Sequence, residues 1–278
     1  MKRLRTKRPG RLFLEKEETV HMKNIAIITG ASSGIGREFV KTLKDHQNVE
    51  EIWVVARSED KLRALSLETP IPVRPVPMDL SDPAFIREVE SLLRAEGPNV
   101  RLLINASGYG KFDAVEKLSM EDDLGMIDLN CRALTAMTKL ALPYMHEGAK
   151  IIEIASVAAF QPIPYINVYG ASKAFVLSFS RALNREVRKR GIHVMALCPF
   201  WTKTAFFDRA VKKAEEAVVK KYIAMYDTSF IVEKAWKALK RGKDHVVPGF
   251  KAKMQVALVK LLPHSLVMSI WMSQQKLN

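Results

Sequence analysis

The sequence predicts an α/β fold: a doubly wound parallel sheet of about seven strands, with helices on both faces and a C-terminal helical extension. From Lys23 onward, short apolar runs alternate with longer amphipathic stretches, as in consecutive βαβ units. These apolar runs are nearly continuous, which is typical of parallel strands buried on both faces. The 278 residues, of which 48% are apolar, suffice for one large core.

Seven apolar runs are predicted strands, and the stretches between them are predicted helices. The strands are 24–29, 51–56, 71–77, 101–105, 150–156, 193–199 and 245–249. The helices include 35–46, 83–95, 119–146, 169–190 and 208–240. We therefore divide the chain into a basic leader (1–21), a single domain (22–250) and an amphipathic basic extension (251–278).

The leader lacks the features of a secretion signal. Its longest apolar run, Leu12 to Leu14, is far shorter than a signal-peptide core, so secretion is not expected. Lys16-Glu17-Glu18 can be back-translated into a purine-rich run that resembles a bacterial ribosome-binding site just before Met22. We expect residues 1–21 to be disordered or to precede the true start at Met22. Abundant native peptides from them in mass spectrometry would reject the second alternative.

Composition excludes several classes of site. Cys131 and Cys198 lie far apart without a CxxC pair, and no histidines have ligand spacing, so neither a disulfide framework nor a metal site is predicted. The formal net charge is +14, but residues 181–278 carry +13 and residues 22–180 carry −3. No motif or aromatic platform for reading nucleic acid accompanies the basic third, so nucleic acid is not an expected partner. We predict a cytoplasmic protein, with peripheral membrane contact left open.

A glycine-rich turn, Thr29-Gly30-Ala31-Ser32-Ser33-Gly34-Ile35-Gly36, follows the first strand. Glycines permit a tight turn and close backbone approach, so a pyrophosphate can lie at the following helix N-terminus, as in Rossmann-like folds. Such turns also occur for structural reasons, but a strand before and a helix after favour dinucleotide binding. The predicted cofactor contacts in this turn are Gly30, Ser32, Ser33, Gly34, Ile35 and Gly36.

The residue after the second strand indicates which dinucleotide is bound. Arg57 stands where NAD-binding versions of this fold carry an acidic residue. A guanidinium pairs with phosphate bidentately, so we predict NADP(H); the alternative is that Arg57 is a solvated loop cation. Asp79, after the third strand, is predicted to meet the adenine amino group or else to cap the helix beginning near Pro83.

Several ordered motifs together carry a family resemblance. They are TGASSGIG (29–36), INASG (104–108), Asn130, Ser156, YGASK (169–173) and PFWTKT (199–204). Their order and spacing over residues 24–250 resemble the short-chain dehydrogenase/reductase family, and in particular its NADP-preferring hydroxysteroid dehydrogenases and lipid carbonyl reductases. The resemblance implies a Rossmann-like fold and the interconversion of a ketone and a secondary alcohol.

Tyr169 and Lys173 are four residues apart on a predicted helix, so their side chains share one face. The pKa of a free tyrosine, about 10, is too high for ready proton exchange at neutral pH. An ammonium about 4 Å away contributes roughly 4 kcal/mol at an effective dielectric near 20, or about three pKa units before burial opposes it. An isolated pair of this kind usually only packs together. Ser156 at a strand end and the glycine turn instead favour catalysis.

The resemblance implies a role for each of these side chains. Tyr169 protonates the carbonyl oxygen as hydride arrives, and Ser156 orients that oxygen. Lys173 also holds the nicotinamide ribose, and Asn130 anchors a water in the proton relay.

Two departures from the family pattern bear on the site. Asn105, a predicted cofactor contact, is followed by Ala106 where the family usually has a second asparagine. Phe200 replaces the glycine that usually follows the proline at 199, while Thr204 remains for the carboxamide. We therefore expect an altered substrate pocket.

Substrate choice in the family resides in the loop before the catalytic tyrosine and in the segment after the sixth strand. These contribute mainly apolar side chains: Phe160, Ile163, Tyr165, Phe200, Trp201, Phe206 and Phe207. Such a lining suits a steroid, bile acid or fatty-acyl chain, although several of these residues could instead form core or dimer contacts.

The extension 251–278 combines apolar residues with Lys251, Lys253 and Lys260, and Pro263 interrupts it. It is too broken for a membrane span. Three alternatives stay open: it lies on an anionic membrane surface, docks an acidic carrier protein, or covers the pocket.

The sequence therefore predicts an NADP(H)-dependent oxidoreductase acting on a lipophilic ketone or alcohol. The alternative within the enzyme class is a 3-oxoacyl-[acyl-carrier-protein] reductase, which would use the basic surface to hold its carrier. A non-catalytic NADP-binding scaffold and a nucleic-acid binder are the alternatives from other classes. The family resemblance also implies homodimers or homotetramers through the helices at 119–146 and 169–190.

Overall fold

The computed structural model describes residues 22–206, 210 and 218–277, and these contain one seven-stranded sheet. All pairings are parallel, in the order β3-β2-β1-β4-β5-β6-β7. The strands are β1 Asn24–Thr29, β2 Glu51–Ala56, β3 Val73–Pro77, β4 Asn99–Asn105, β5 Lys150–Ile154, β6 His193–Leu197 and β7 His245–Val246. The predicted doubly wound α/β fold is confirmed. The leader lies outside the described residues.

The described α-helices are α1 Gly34–Thr42, α2 Glu59–Arg63, α3 Phe85–Glu96, α4 Met120–Ile127, α5 Leu134–Ala141, α6 Asn167–Glu186, α7 Thr228–Lys240, α8 Phe250–Leu261 and α9 His264–Gln275. The predicted helix 119–146 is interrupted by a π-helical turn at Asp128–Ala133. In the second half of the predicted helix 208–240, the observed helix runs from Thr228 to Lys240. Part of the first half lies outside the described residues. The short helix α2 was not predicted.

Strand ends differ from prediction where the chain leaves the sheet to form loops. Strands β5 and β6 end two residues early, at Ile154 and Leu197, so Ser156 stands beyond the sheet rather than within it. Strand β3 contains Pro75 and Pro77, which is compatible with its place at the edge of the sheet because an edge strand has fewer ladder bonds to lose.

Each face of the sheet carries its own apolar cluster. On one face, Ile28 and Val54 pack with Phe39 of α1 and Trp236 of α7. On the other, alternate strand residues pack against α3, α5 and α6, for example through Leu93, Met137 and Leu183. Successive strand residues point to opposite faces, so both faces need apolar side chains and the strands read as continuous apolar runs.

Within the described part of the chain, no helix combines the length and apolarity needed to cross a membrane. The carboxyl ends of the parallel strands all meet at one edge of the sheet, where ligands bind in folds of this topology.

Candidate active site

The glycine turn after β1 is held against the end of β4. Gly30 and Gly34 have positive φ values of 64° and 56°, which favour glycine. A Cβ on Gly30 would lie 2.6 Å from the carbonyl oxygen of Ala106, so only glycine allows the two backbones to approach this closely. The hydroxyl of Thr29 accepts hydrogen bonds from the backbone N–H groups of Ala106 and Ser107, both at 3.1 Å. The turn is therefore fixed by contacts between strands.

Helix α1 opens onto the cavity with its N-terminal amides available. Its N-cap, Ser33, is extended at φ −162° and makes no side-chain capping bond, and its first turn holds no acidic residue. Unsatisfied amides and the helix dipole together favour an anion at this end. The donor set therefore fits a pyrophosphate. Arg37 in the first turn is bound instead to Glu68 on the protein surface.

Arg57 lies at the far end of the same cavity with a side chain that is 61% exposed. Its Nη1 is 4.0 Å from Oδ2 of Asp79, a weak contact that leaves the guanidinium available to a ligand. Ser58 and Lys61 also line this end, and sequence reasoning missed both, although they lie only one and four residues after Arg57. This end of the cavity presents two cations and a hydroxyl, which are suitable partners for a phosphate.

Asp79 does not cap a helix near Pro83, because α3 begins only at Phe85. Its Oδ1 accepts hydrogen bonds from the backbone N–H and hydroxyl of Ser81, at 2.9 and 2.6 Å. Burial acts to raise the pKa of Asp79, but these bonds and the charge of Arg57 outweigh it, and the pKa is lowered. A negatively charged Asp79 that lines the cavity remains available to an amino group.

Tyr169 and Ser156 meet in the wall of the cavity. Burial raises the pKa of Tyr169 to about 12, and a hydrogen bond with Ser156 acts in the opposite direction. Phe112 and Phe206 pack against the tyrosine ring at centroid distances of 5.6 and 5.5 Å. The Ser156 hydroxyl also accepts from the backbone N–H of Ala158 at 3.1 Å, which fixes its rotamer. At neutral pH the phenol is protonated and poised as an acid.

Lys173 lies on the same face of α6 as Tyr169, as the spacing predicts. Its Nζ is 5.7 Å from the centroid of the Tyr169 ring and donates to the carbonyl oxygen of Ile154 at 2.9 Å. Burial lowers the pKa of Lys173 to about 8, so the amine remains largely charged at pH 7. The expected depression of the Tyr169 pKa by Lys173 is not seen: burial raises the pKa of the phenol, and the influence that lowers it is the hydrogen bond with Ser156.

Asn130 is fully buried within the π-helical turn, a feature often found at functional sites. Its side chain accepts from the backbone N–H of Tyr109 at 3.1 Å and donates to the Tyr109 carbonyl at 2.9 Å. It also donates to the Ser172 hydroxyl at 3.0 Å, and Ser172 in turn donates to the carbonyl oxygen of Tyr169. Asn130 thus supports the helix turn that presents Tyr169, and sequence reasoning missed Ser172 as the link.

A buried polar network lies beneath the site. Nδ2 of Asn105 donates to the hydroxyl of Thr138 at 3.0 Å, and that hydroxyl lies 2.8 Å from both Oε1 of Glu153 and the carbonyl oxygen of Leu134. One hydroxyl hydrogen cannot serve two acceptors. If Glu153 is protonated and donates to Thr138, all three contacts are satisfied. Asn105 therefore acts from below the cavity and is not among its lining residues.

Replacing Glu153 by glutamine is expected to stabilise the fold at alkaline pH by as much as about 3 kcal/mol. Burial raises the pKa of Glu153 from 4.5 to about 7, so the carboxyl group contributes fully below pH 4.5 and that contribution is lost as the pH rises to about 7. Glutamine mimics the protonated acid. Urea unfolding from pH 4 to 9 measures the difference, and Glu186→Gln on the surface is the control. A pH-independent difference between Glu153→Gln and wild type would contradict the prediction.

One continuous cavity of about 1340 Å³ joins the glycine turn to Tyr169 and to the apolar end of the site. This exceeds the roughly 300–1,000 Å³ typical of a small-molecule pocket, and it has room for a dinucleotide and a substrate together. Of the predicted cofactor contacts, all line the cavity except Asn105. Thr204 lies beside the glycine turn, since a Cβ on Gly34 would be 3.2 Å from its methyl carbon.

Of the seven residues predicted for the substrate end, Ile163, Phe200, Trp201 and Phe206 line the cavity, and Phe160 and Tyr165 do not. Phe160 packs away from it, with its ring 5.2 Å from Nζ of Lys260 and 6.3 Å from the His245 ring. Tyr165 has a positive φ of 65° that turns the chain before α6. Phe112 and Ile166, which were not predicted, line the cavity in their place, and Phe207 lies outside the described residues.

Helices α8 and α9 line the apolar end of the cavity and cover part of it, as the pocket-cover alternative predicts. Trp271 lines the cavity and donates from Nε1 to the carbonyl oxygen of Pro164 at 3.0 Å. Gln275 is 2% exposed, and its amide bonds the backbone of Lys220 and Lys221 at 2.8 to 3.1 Å. The extension is therefore built into the substrate end of the site.

Comparisons with known proteins agree with this geometry. The family model described as short chain dehydrogenase matches residues 24–215. The very-long-chain 3-oxoacyl-CoA reductase of Homo sapiens is 29% identical over 190 residues, which span 64% of this chain and 59% of that enzyme.

Two solved structures are similar over most of their length. A short-chain dehydrogenase from Sphingobium yanoikuyae in complex with NADPH is 28% identical, with a TM-score of 0.72 over 84% of this chain and 92% of that one. A bulky-bulky ketone specific alcohol dehydrogenase from Comamonas testosteroni is 25% identical, with a TM-score of 0.67 over 86% and 94%. With the glycine turn, Ser156, Tyr169 and Lys173 assembled around one cavity, the chain belongs to the short-chain dehydrogenase family.

Proposed function

We propose that this protein is an NADP(H)-dependent oxidoreductase that interconverts a ketone and a secondary alcohol on a lipophilic substrate. The observation that carries the proposal is the position of Tyr169. The phenol is hydrogen-bonded to Ser156, has Lys173 one helical turn away, and borders the same cavity as the glycine turn. A proton donor thus faces a space large enough for both cofactor and substrate.

The residues divide the work of carbonyl reduction. A bound nicotinamide dinucleotide supplies the hydride. Tyr169, protonated at neutral pH, gives its proton to the carbonyl oxygen, and Ser156 holds that oxygen by a hydrogen bond. The charge of Lys173 stabilises the phenolate that Tyr169 becomes. The surrounding rings of Phe112 and Phe206 exclude water from this step.

The preference for NADP(H) rests on Arg57 and Lys61. Both line the cavity end opposite Tyr169, where the adenosine half of a dinucleotide would lie if its pyrophosphate is at α1. A 2′-phosphate there would gain two cationic partners. The relative from Sphingobium, whose complex holds NADPH, supports the same choice.

Replacing Arg57 by alanine is expected to raise the KM for NADPH about tenfold and to leave the KM for NADH unchanged. The guanidinium is partly exposed, so the lost charge-assisted bond is taken at the low end of its usual range, about 1.5 kcal/mol. Steady-state rates with each cofactor measure both constants, and Arg63→Ala, on the surface of α2, is the control. An equal rise for both cofactors would show that Arg57 does not read the 2′-phosphate.

The apolar end of the cavity supports a bulky lipophilic substrate such as a steroid, bile acid or acyl chain. Trp201, Phe206, Leu258, Val267 and Trp271 contribute to its lining. Both the human acyl-CoA reductase and the Comamonas dehydrogenase are named for large ketone substrates. A 3-oxoacyl-[acyl-carrier-protein] reductase is the second candidate, favoured by Lys221 and Lys251 in the same lining.

The protein is further proposed to form a homodimer or homotetramer through α4, α5 and α6. Exposed apolar side chains along these helices support this, among them Met120 at 74%, Ile127 at 45% and Phe175 at 43%. Burying such side chains between copies would remove apolar surface from water. Light scattering of the purified protein measures the state.

The function is tested by NADPH oxidation against ketosteroids, oxo-bile acids and oxoacyl thioesters, with NADH as the cofactor control. Turnover of one class with NADPH preference supports the proposal and names the substrate. Turnover of carrier-bound oxoacyl thioesters alone selects the second candidate. NADPH binding without turnover of any ketone would favour a non-catalytic scaffold.

A further inference from the structure

Helix α8 carries apolar side chains on two opposite faces. Phe250, Met254, Leu258 and Leu261 are 76%, 49%, 53% and 81% exposed. Their spacing of four, eight and eleven residues from Phe250 places them within an arc of about 80°. The opposite face of α8 packs against the rest of the protein through Ala252, Val256 and Val259. The packing of α8 therefore does not explain the exposed stripe.

Lysines flank this stripe on both sides. At 100° per residue, Lys251 falls just beyond one edge, and Lys253 and Lys260 fall beyond the other. Residues 245–278 contain four lysines and no aspartate or glutamate. An apolar stripe bordered by cations is the pattern of helices that lie in the surface of an anionic bilayer.

The mouth of the cavity opens at the same surface. Within residues 218–277, four large apolar side chains are both exposed and part of the cavity lining: Met254 and Leu258 in α8, Ile270 in α9, and Ile223 in the segment before α7. Ile223 and Ile270 are 51% and 42% exposed. The stripe on α8 thus continues into the rim of the cavity.

We propose that this surface docks onto an anionic lipid bilayer, with Phe250 and Leu261 among the acyl chains and the flanking lysines at the head groups. The cavity mouth then faces the bilayer, so a lipophilic substrate can enter without crossing water. The docking itself does not depend on the proposed function, and it is measured without any enzymatic turnover.

Two other occupants fit the surface less well. A two-fold contact between copies would place the same patch on both sides of the interface. The lysines of the two copies would then face each other, and residues 245–278 offer no acidic side chain to pair with them. An acidic carrier protein would satisfy the lysines but leave the apolar stripe without a partner. A lipid surface satisfies both.

Vesicle flotation of the full chain tests the proposal. We expect binding to vesicles of phosphatidylcholine with phosphatidylglycerol, none to phosphatidylcholine alone, and weakening with added salt. Lys253→Gln/Lys260→Gln should weaken binding about thirtyfold, since each lysine near an anionic surface contributes about five- to sixfold. Phe250→Ser/Leu261→Ser should abolish it, and neither of those residues lines the cavity.

Matched controls change exposed side chains elsewhere. Lys44→Gln/Lys189→Gln removes the same charge, and Leu67→Ser alters a leucine that is 91% exposed; both should bind like wild type. Circular dichroism checks that each variant is folded. Absence of flotation, or equal loss in the controls, would overturn the proposal. Capture of an acidic carrier protein without flotation, or a dimer that Phe250→Ser/Leu261→Ser dissociates without flotation, would overturn it in favour of that partner.

Discussion

Replacing Tyr169 by phenylalanine is expected to lower kcat for ketone reduction by about 10²- to 10⁴-fold, because it removes the general acid. The ring, its contacts with Phe112 and Phe206, and the helix all remain, so the fold and the KM for the cofactor should not change. The absorbance of NADPH follows the reaction for both proteins.

The matched control for this variant is Tyr144→Phe, which removes a hydroxyl outside the cavity. In the wild type, the reduction rate should also fall as Lys173 loses its proton above pH about 8. A Tyr169→Phe enzyme that retains more than a tenth of wild-type kcat would show that another group supplies the proton.

Replacing Gly30 by alanine is expected to destabilise the fold by about 4 kcal/mol and to abolish cofactor binding. A side chain at φ 64° costs about 1–2 kcal/mol, and its Cβ would lie 2.6 Å from the backbone of Ala106, which adds about 1–3 kcal/mol. Relief requires β1 and β4 to separate. Urea unfolding measures the stability, and NADPH fluorescence titration measures the binding.

Gly242→Ala separates the two causes. Gly242 has nearly the same φ, 65°, but nothing lies within 4 Å of the Cβ that the substitution would add. Gly242→Ala should lower the free energy of unfolding only by the conformational cost, about 1–2 kcal/mol, and should retain cofactor binding. Equal losses in the two variants would mean that the contact with Ala106 is not a constraint.

The sequence predicted those parts of the site that depend on local pattern. Continuous apolar runs mark strands buried on both faces, the glycines at 30, 34 and 36 mark a tight turn, and a four-residue spacing places Tyr169 and Lys173 on one helical face. Each follows from neighbours along the chain. The fold class and the positions of most strands therefore needed no knowledge of tertiary contacts.

Other parts depend on distant contacts and could not be predicted in this way. Phe160 and Tyr165 were expected in the pocket, but the loop after β5 turns Phe160 toward Lys260 and His245. The hydrogen bond that holds α9 in place joins Trp271 to Pro164, which is 107 positions earlier in the chain. Glu153 did have a signal that was missed, since it is the one acidic residue within the otherwise apolar part of a buried strand.

The contact between Gly30 and Ala106 has a consequence for synthesis of the chain. The ribosome adds about 5–20 residues per second, so Ala106 is made roughly 4–15 s after Gly30. The glycine turn cannot pack against the end of β4 before then. Helices α8 and α9, the last to emerge, then complete the substrate end. A product truncated before residue 250 would lack both helices, and the apolar end of its cavity would be open to water.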